Sequence, residues 1–476
     1  MIFKPREHQQ LGVNHLLAND EACLFAGMGL GKTATTLFAL SQLILDGACK
    51  GALIVAPLRV SVLTWPDEVA KWSNFRFMKI VSLRTPEGIE AWKRGDACIY
   101  TINYEALFKP SYDKNTGHLK KDTGILGQLL KGRSAEELPV DTVVWDELSL
   151  TKNPSSKRIR AFLRHRDKFK RHWGLTGTPV PNSYLDLFAQ LRLIDGGKTF
   201  GNAMQPFKIQ YFYPTDYNQY NWAVRPDCIG LIEEKLKHRC LTLRTQDWLD
   251  IPPGEEIDVP VALPASVKPL YKKLEKELIL RINDGKIKAV NQAVLVGKLQ
   301  QFLGGAVYAE DLTGIFDTPE GEKHVVHVHD AKIKALRALW KREGHQPMLV
   351  ATQFIHERQR ILEAFPEAVE FSTDKVADWN AGKIGLFVAH PASMKYGLNM
   401  QKGGSRTCWF TPTYSFEAYD QFNARVYRTG QTSESKFFRL LVSGTIDDAV
   451  IGTLDRKGET QDALLTTLKN IQKLAS

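Results

Sequence analysis

The sequence has few cysteines, and their spacing would hold neither a metal ion nor a disulfide framework. Its 476 residues include six cysteines, and no two of them form a Cys-x-x-Cys pair. Scattered cysteines of this kind argue against a zinc site and against a secreted, disulfide-stabilised domain. No apolar run approaches the roughly 20 residues of a membrane-spanning helix, and the amino terminus lacks a signal-peptide pattern. These absences favour a cytoplasmic protein with no membrane partner.

The length and composition indicate an ordinary globular protein with more than one core. A single core rarely grows beyond about 250–300 residues, so we expect two domains. Hydrophobic residues make up 43% of the chain and charged residues 24%, which allows cores to form without disulfides or metals. The formal net charge is +10 and the pI is near 9.1. This positive charge indicates a polyanionic partner without identifying it.

A glycine-rich segment near the amino terminus carries the most specific signal. Residues 26–33 read Ala-Gly-Met-Gly-Leu-Gly-Lys-Thr and follow a short apolar run. A strand, a glycine loop and a helix in this order are typical of a phosphate-binding loop, because glycines let backbone N–H groups face an anion. Lys32 is expected to reach the β- and γ-phosphates of ATP, and Thr33 is expected to ligate Mg²⁺. The predicted nucleotide-binding residues here are Gly27, Met28, Gly29, Leu30, Gly31, Lys32 and Thr33.

Short apolar runs that end in polar loops recur in both halves of the chain. They cover residues 52–56, 98–102, 142–145 and 172–175, and later residues 348–351, 384–389, 407–410 and 437–442. Such runs, alternating with helical stretches, predict an α/β fold with parallel sheets and ligands at the carboxyl ends of the strands. Residues 199–335 are expected to hold helical insertions. The aromatic residues of 199–223 are expected to pack between helices, with base stacking as the alternative.

Two further motifs supply candidate catalytic groups. Asp146 and Glu147 directly follow an apolar strand, so Asp146 is expected to hold Mg²⁺ and Glu147 to deprotonate the attacking water. Arg425 and Arg428 are three residues apart and would share one face of a helix. We expect them to act as arginine fingers that stabilise the charge on the γ-phosphate during hydrolysis.

Taken in order, these motifs resemble those of a Swi/Snf-type ATPase of helicase superfamily 2, and the similarity covers nearly the whole chain. The segments that carry it include residues 6–9, 28–33, 146–157, 175–182, 396–399 and 425–431. The resemblance implies two RecA-like parallel-sheet lobes with helical insertions between them. Lobe 1 would span residues 1–240, with the insertion beginning within 199–240. Lobe 2 would span residues 241–476, with a connecting segment and insertion at 241–335 and a core at 336–476.

The resemblance also implies roles for individual residues. Gln9 would contact adenine, and Gly397 would belong to the nucleotide site. Four residues would lie on the nucleic-acid side of the lobes, namely Arg59, Lys152, Thr178 and Ser393. Two departures from the family pattern stand out: Ser149 occupies a position that is often histidine, and Ala26-Gly27 replaces an acidic pair before the glycine loop.

The function implied by the resemblance is a motor that hydrolyses ATP with Mg²⁺ to move along double-stranded DNA, as a monomer, in a bacterial or phage-infected cell. One alternative is a helicase that separates strands or drives branch migration. An alternative of another class is a nucleotide-gated module that binds nucleic acid without motor activity. The side-by-side response of ATP turnover to different nucleic acids distinguishes these hypotheses.

Overall fold

The computed structural model describes residues 1–107, 124–249, 251–252, 254–283, 290–308, 325–394 and 398–475. The chain divides into two compact units. The first comprises residues 1–249 together with 457–476, and the second comprises residues 250–456. No helix in the described part of the chain is both long and apolar enough to cross a membrane.

The first unit is built on a seven-stranded sheet in the order β3-β4-β2-β5-β6-β1-β9, and every neighbouring pair is parallel. Its strands are β1 (Glu21–Ala26), β2 (Ala52–Ala56), β3 (Ile80–Ser82), β4 (Ile99–Asn103), β5 (Thr142–Asp146), β6 (Arg171–Thr176) and β9 (Cys240–Leu243). A separate antiparallel hairpin pairs β7 (Phe212–Pro214) with β8 (Trp222–Val224).

The helices of the first unit connect these strands. They are α1 (Glu7–Ala18), α2 (Lys32–Leu45), α3 (Trp65–Lys71), α4 (Pro86–Arg94), α5 (Tyr104–Leu107), α6 (Ile125–Leu130), α7 (Lys157–Leu163), α8 (Asp186–Asp195), α9 (Met204–Tyr211), α10 (Pro226–Leu236) and α11 (Thr245–Trp248). Because all the sheet strands are parallel, the loops after β1, β2, β4, β5 and β6 leave the same edge of the sheet. That edge holds the candidate functional site.

The second unit contains a six-stranded parallel sheet in the order β10-β17-β16-β13-β15-β14. Its strands are β10 (Gly254–Pro260), β13 (Met348–Ala351), β14 (Ala368–Glu370), β15 (Leu386–Ala389), β16 (Arg406–Trp409) and β17 (Ser435–Leu441), and a hairpin pairs β11 (Ala306–Tyr308) with β12 (Val325–His327). Its helices are α12 (Lys268–Asn283), α13 (Val290–Leu303), α14 (Ala331–Arg342), α15 (Ile355–Ala364), α16 (Val376–Asn380) and α17 (Phe416–Asn423). The last helix, α18 (Ile446–Ala475), begins in the second unit, and its residues from 457 onward belong to the first.

The predicted fold class of two RecA-like parallel-sheet lobes is confirmed. The continuously apolar strands β2 and β13, and β5 with its apolar centre, are buried along their whole length, as expected for strands covered on both faces. The sequence pattern missed the short or polar strands β3, β9, β10 and β14. The domain boundary near residue 240 stays a prediction. The two compact units divide after residue 249, and β9 (Cys240–Leu243) pairs with β1 in the first sheet.

The aromatic residues between 199 and 223 form a buried group and an exposed group, with Trp222 partly buried between the two extremes. Phe200, Phe207, Tyr211 and Phe212 are buried in the core of the first unit, so packing is correct for them. Tyr213, Tyr217 and Tyr220 are exposed on the β7–β8 hairpin, so packing is wrong for these three. A two-stranded hairpin has no second layer to cover it, so tyrosines of its strands and of its loop can stay in solvent.

Candidate functional site

The glycine-rich loop lies between β1 and α2, at the carboxyl edge of the first sheet. Gly29 and Gly31 have φ angles of 83° and 78°, a backbone region that disfavours a residue with a Cβ atom. Gly31 caps α2, which begins at Lys32, and the partly exposed Thr33 follows in the first turn of the helix. The sequence thus folds locally into a turn whose amides can face an anion at a helix amino terminus.

The Lys32 side chain turns back over this loop. Its Nζ donates to the carbonyl oxygen of Ala26 at 2.7 Å and to that of Gly27 at 3.4 Å. Gly177, in the turn after β6, lies beside it, because a Cβ atom at residue 177 would be 3.7 Å from this Nζ. Residues 176–179, which read Thr-Gly-Thr-Pro, therefore reach the phosphate loop, since β6 pairs directly with β1.

Helix α1 supports the loop from the other side. Gln9 is buried, and its Nε2 donates to the carbonyl oxygen of Leu30 at 3.2 Å, while its Oε1 accepts from the backbone N–H of Arg6 at 3.0 Å. His8 Nε2 lies 3.3 Å from the same Leu30 oxygen. Burial lowers the pKa of His8, which favours a neutral ring that donates to this oxygen. The contact of Gln9 with adenine stays a prediction.

Thr245 in α11 is a contact of the loop that sequence reasoning missed. Its Oγ1 donates to the carbonyl oxygen of Met28 at 3.1 Å, and Gly27 N–H donates to the carbonyl oxygen of Leu243 at 2.9 Å. A Cβ atom at residue 27 would collide with Thr245 Oγ1, so only glycine fits beside this side chain. The sequence placed Thr245 in a connecting segment of lobe 2 at 241–335, which does not predict this contact.

Asp146 ends β5 and is buried at the same edge of the sheet. Its Oδ2 accepts a hydrogen bond from Trp65 Nε1 at 2.9 Å. Burial raises the pKa of the Asp146 carboxyl above its usual value, while the Trp65 hydrogen bond and the positive charge of Lys32 act in the opposite direction. A carboxylate oxygen and a threonine hydroxyl are hard oxygen donors, so Asp146 and Thr33 suit Mg²⁺ as a ligand set.

Glu147 adopts a left-handed backbone conformation, with φ 60° and ψ 55°, that few residues other than glycine adopt. The Tyr104 hydroxyl lies 2.9 Å from the carbonyl oxygen of Asp146, to which it donates, and 3.4 Å from that of Glu147. Ser149 Oγ donates to Glu147 Oε1 at 3.4 Å, so the hydroxyl at the position that is often histidine contacts the candidate base. Tyr104 directly follows β4, so its position at the carboxyl end of a parallel strand was the sequence signal that could have placed it at this site.

Arg425 and Arg428 lie in the second unit, and the prediction that a helix carries them is wrong. Helix α17 ends at Asn423, and both arginines lie in the turn that follows. They nevertheless point the same way, because Arg425 Nη1 and Arg428 Nη1 donate to the carbonyl oxygen of Leu398 at 3.2 Å and 3.0 Å. Burial lowers the pKa of Arg428 below its usual value. Gly397, the neighbouring residue predicted for the nucleotide site, lies outside the described residues.

The four residues predicted to face nucleic acid differ in exposure. Arg59 and Lys152 are half-buried at the carboxyl edge of the first sheet. Arg59 has a helical backbone conformation and leads directly into a π-helical turn over Val60–Thr64, whereas Lys152 lies in a loop. Thr178 in the same unit is buried, and its Oγ1 has no hydrogen-bond partner among the described residues. Ser393 in the second unit is exposed, and its Oγ donates to the carbonyl oxygen of His390 at 2.7 Å.

Comparison with known protein families gives this arrangement a context. A family model described as the SNF2-related domain matches residues 8–303, which is more than half of the chain. Protein p41 of Acyrthosiphon pisum secondary endosymbiont phage 1 is 33% identical over 98% of this chain and 99% of its own length. The chain belongs to the SNF2-related family. The resemblance to Swi/Snf-type ATPases of superfamily 2 is confirmed, and membership identifies an ATP-using enzyme.

Other relatives match this chain over only part of their own length. The RAD54-like DNA repair and recombination protein of Danio rerio is 25% identical over 94% of this chain and 65% of its own length. The chromatin-remodeling factor PICKLE of Arabidopsis thaliana is 23% identical over 96% of this chain, which spans only 33% of that protein. A solved structure of the Sulfolobus solfataricus SWI2/SNF2 ATPase core in complex with dsDNA matches with a TM-score of 0.44 and 20% identity, covering 99% of this chain and 95% of that one.

Proposed function

We propose that the chain is a DNA-stimulated ATPase that moves along double-stranded DNA and remodels DNA or protein–DNA complexes. The main supporting observation is the shared edge of the first sheet, where the glycine loop, Lys32, Asp146 and Glu147 follow neighbouring or nearby parallel strands. A net charge of +10 suits a polyanionic track. The names of the RAD54-like relatives, which are DNA repair and recombination proteins, favour DNA as that track.

In the proposed reaction, each side chain has a separate task. Lys32 exchanges the carbonyl oxygens of Ala26 and Gly27 for phosphate oxygens, which are stronger acceptors because they are charged. Thr33 and Asp146 would hold Mg²⁺, which when bound neutralises charge on the phosphates. Glu147 accepts the proton of the attacking water, and Ser149 orients its carboxylate through the hydrogen bond to Oε1. Arg425 and Arg428 are proposed to stabilise the charge that develops on the γ-phosphate.

ATP turnover measured side by side with single-stranded DNA, duplex DNA, forked DNA and RNA tests this proposal. Duplex DNA should raise the rate, and added salt should weaken the stimulation, because phosphate contacts release counterions. A Lys32→Ala variant serves as the blank. Turnover that no nucleic acid changes would contradict the motor function and favour a nucleotide-gated binding module.

Displacement assays separate translocation from strand separation. A translocase should remove the third strand of a triplex without opening the duplex beneath it, whereas a helicase also releases a strand from a forked duplex. Removal of neither strand, with DNA-stimulated turnover intact, would contradict movement along DNA.

The contact between Thr245 and the glycine loop yields a further prediction. Thr245→Val keeps the side-chain volume but removes the hydroxyl that donates to Met28. Loss of one neutral hydrogen bond should raise the KM for ATP roughly two- to tenfold, with a smaller change in kcat. Thr245→Ser restores the hydroxyl and should restore KM. Equal KM values for the valine and serine variants would show that the hydroxyl does not position the loop.

A further inference from the structure

The β7–β8 hairpin carries exposed aromatic rings that the proposed reaction does not use. Tyr217 is 100% exposed and Tyr220 is 74% exposed, and both lie in the seven-residue loop 215–221 between the strands. Within the described part of the chain, neither ring has an aromatic partner and neither hydroxyl has a hydrogen-bond partner. Two side chains with so little buried area contribute little packing energy to the fold, and their exposure makes the rings available to a ligand.

The loop that presents these rings is held in one shape. Asp216 Oδ1 accepts from the backbone N–H of Tyr220 at 2.8 Å, and its Oδ2 accepts from the backbone N–H of Asn221 at 3.1 Å and from Asn221 Nδ2 at 2.8 Å. Trp222 Nε1 donates to the carbonyl oxygen of Gln219 at 2.8 Å, and Gln219 itself has a φ of 56°. An ordered loop loses less conformational entropy when it binds, which favours recognition by the rings.

The base of the hairpin is anchored in the core of the first unit. Phe212 in β7 is buried and packs on the Phe207 ring, with ring centroids 5.2 Å apart. Arg225, just after β8, donates from Nε to the carbonyl oxygen of Phe212 at 3.0 Å. The rings are therefore displayed on a short, braced projection whose position is set by the rest of the unit.

The chemistry around the rings favours bases over a protein surface. The residues that flank Tyr217 and Tyr220 in the loop are polar: Thr215, Asp216, Asn218, Gln219 and Asn221. A protein-docking centre needs a packed apolar patch, which isolated rings among polar side chains do not form. A nucleobase instead offers a π-face to one ring and polar edges to the amides around it.

Charge on the hairpin is also compatible with a polyanion. Between residues 200 and 226 the charged side chains are Lys208, Asp216 and Arg225. Both oxygens of the Asp216 carboxylate accept hydrogen bonds from the loop itself. Lys208 Nζ lies 5.1 Å from the centre of the Trp222 ring, and Arg225 is exposed at the base. The two cations flank the projection without a carboxylate of this segment directed at them.

We propose that Tyr217 and Tyr220 stack on unpaired bases of the DNA on which the ATPase acts, which makes the hairpin a sensor of single-stranded segments beside a duplex. The inference rests on the proposed DNA motor function. Inside a duplex the neighbouring base pairs cover both faces of each base, and a blunt end exposes only one face, so two rings on one loop can both stack only where bases are unpaired. The partner is therefore a junction with unpaired arms, and intact duplex does not engage the rings.

Binding of the 476-residue chain to a forked DNA and to a blunt duplex of the same paired length tests this assignment. The variant Tyr217→Ala/Tyr220→Ala should lose about tenfold or more in affinity for the fork, because a stacked aromatic ring contributes strongly to the binding of each base. Its affinity for blunt duplex and its ATP turnover without DNA should be unchanged. The matched control Tyr217→Phe/Tyr220→Phe keeps both ring faces and should bind the fork as the parent does.

A second measurement locates the contact directly. A 5-iodouracil placed in the unpaired arm should crosslink to residue 217 or 220 on irradiation, and one placed within the paired region should not. Equal fork affinity for the parent and the alanine variant would overturn the assignment, as would an equal loss on blunt duplex. If no nucleic acid changes the ATP turnover of the parent, the proposed motor function is contradicted. If the tyrosine substitutions leave fork binding unchanged while DNA still stimulates turnover, only the role assigned to the hairpin is contradicted.

Discussion

Glu147→Gln should bind ATP as tightly as the parent protein and hydrolyse it about 10²–10⁴ times more slowly, the usual contribution of a positioned general base. Glutamine has the same shape but cannot take a proton from water. The backbone at residue 147 should keep its left-handed conformation, because the Tyr104 hydroxyl still lies within hydrogen-bonding distance of the carbonyl oxygens of residues 146 and 147.

Single-turnover hydrolysis and equilibrium binding of a fluorescent ATP analogue measure the two effects separately. Lys32→Ala should lose binding as well as hydrolysis, because its ammonium is the cation proposed to hold the phosphates. Glu87→Gln in α4 is the matched surface control, since that side chain is exposed, and it should behave as the parent. Parent-like turnover in Glu147→Gln would show that another group activates the water.

Lys332→Met should destabilise the second unit by about 3–5 kcal/mol, the cost of leaving one member of a buried ion pair without its partner. Lys332 Nζ lies 3.0 Å from Asp447 Oδ2, and both side chains are fully buried. Asp447 Oδ2 also accepts from the Val442 backbone N–H at 3.1 Å, while its Oδ1 has no hydrogen-bond partner among the described residues. The substitution would leave a carboxylate between α14, β17 and α18 without a counter-charge.

Urea unfolding monitored by hydrogen exchange of the α14 amides measures the free energy of unfolding of the second unit. Lys334→Met is the matched control, because this lysine lies on the same helix but is exposed, and little change is expected. The double variant Lys332→Met/Asp447→Leu should recover much of the loss, since it removes both charges. Equal stability of Lys332→Met and Lys334→Met would mean that the buried pair contributes nothing.

Much of the architecture could be predicted from local pattern. A strand such as Ala52–Ala56, covered by helices on both faces, must be apolar at every position, so its sequence is recognisable without neighbours. Edge strands lack this constraint. β10 reads Gly-Glu-Glu-Ile-Asp-Val-Pro, and Arg439 on its partner β17 pairs with Glu256 and Asp258 of that strand. A polar strand held by ion pairs has no apolar signature, and it was missed.

In the candidate site, too, the local features could be predicted from the sequence and the contacts between distant segments could not. Phosphate binding by residues 26–33 depends on consecutive residues, because the loop conformation and the helix start are local properties. The environment of Lys32 depends on β6 lying beside β1, and the support from Thr245 depends on β9 lying on the other side of β1. Strand order leaves no periodic trace in a sequence, so these contacts could not be found from it.

The sequence by itself determined where phosphate chemistry is available: glycines free to turn, a lysine and a threonine at a helix start, and two acids at the end of a buried strand. Only the tertiary structure decided which distant groups support them, and that Tyr217 and Tyr220 remain in solvent while Phe207 and Phe212 are buried. The reason is that backbone preferences and hydrophobic pattern act over a few residues, whereas the surroundings of a side chain depend on which strands and helices pack together across the unit.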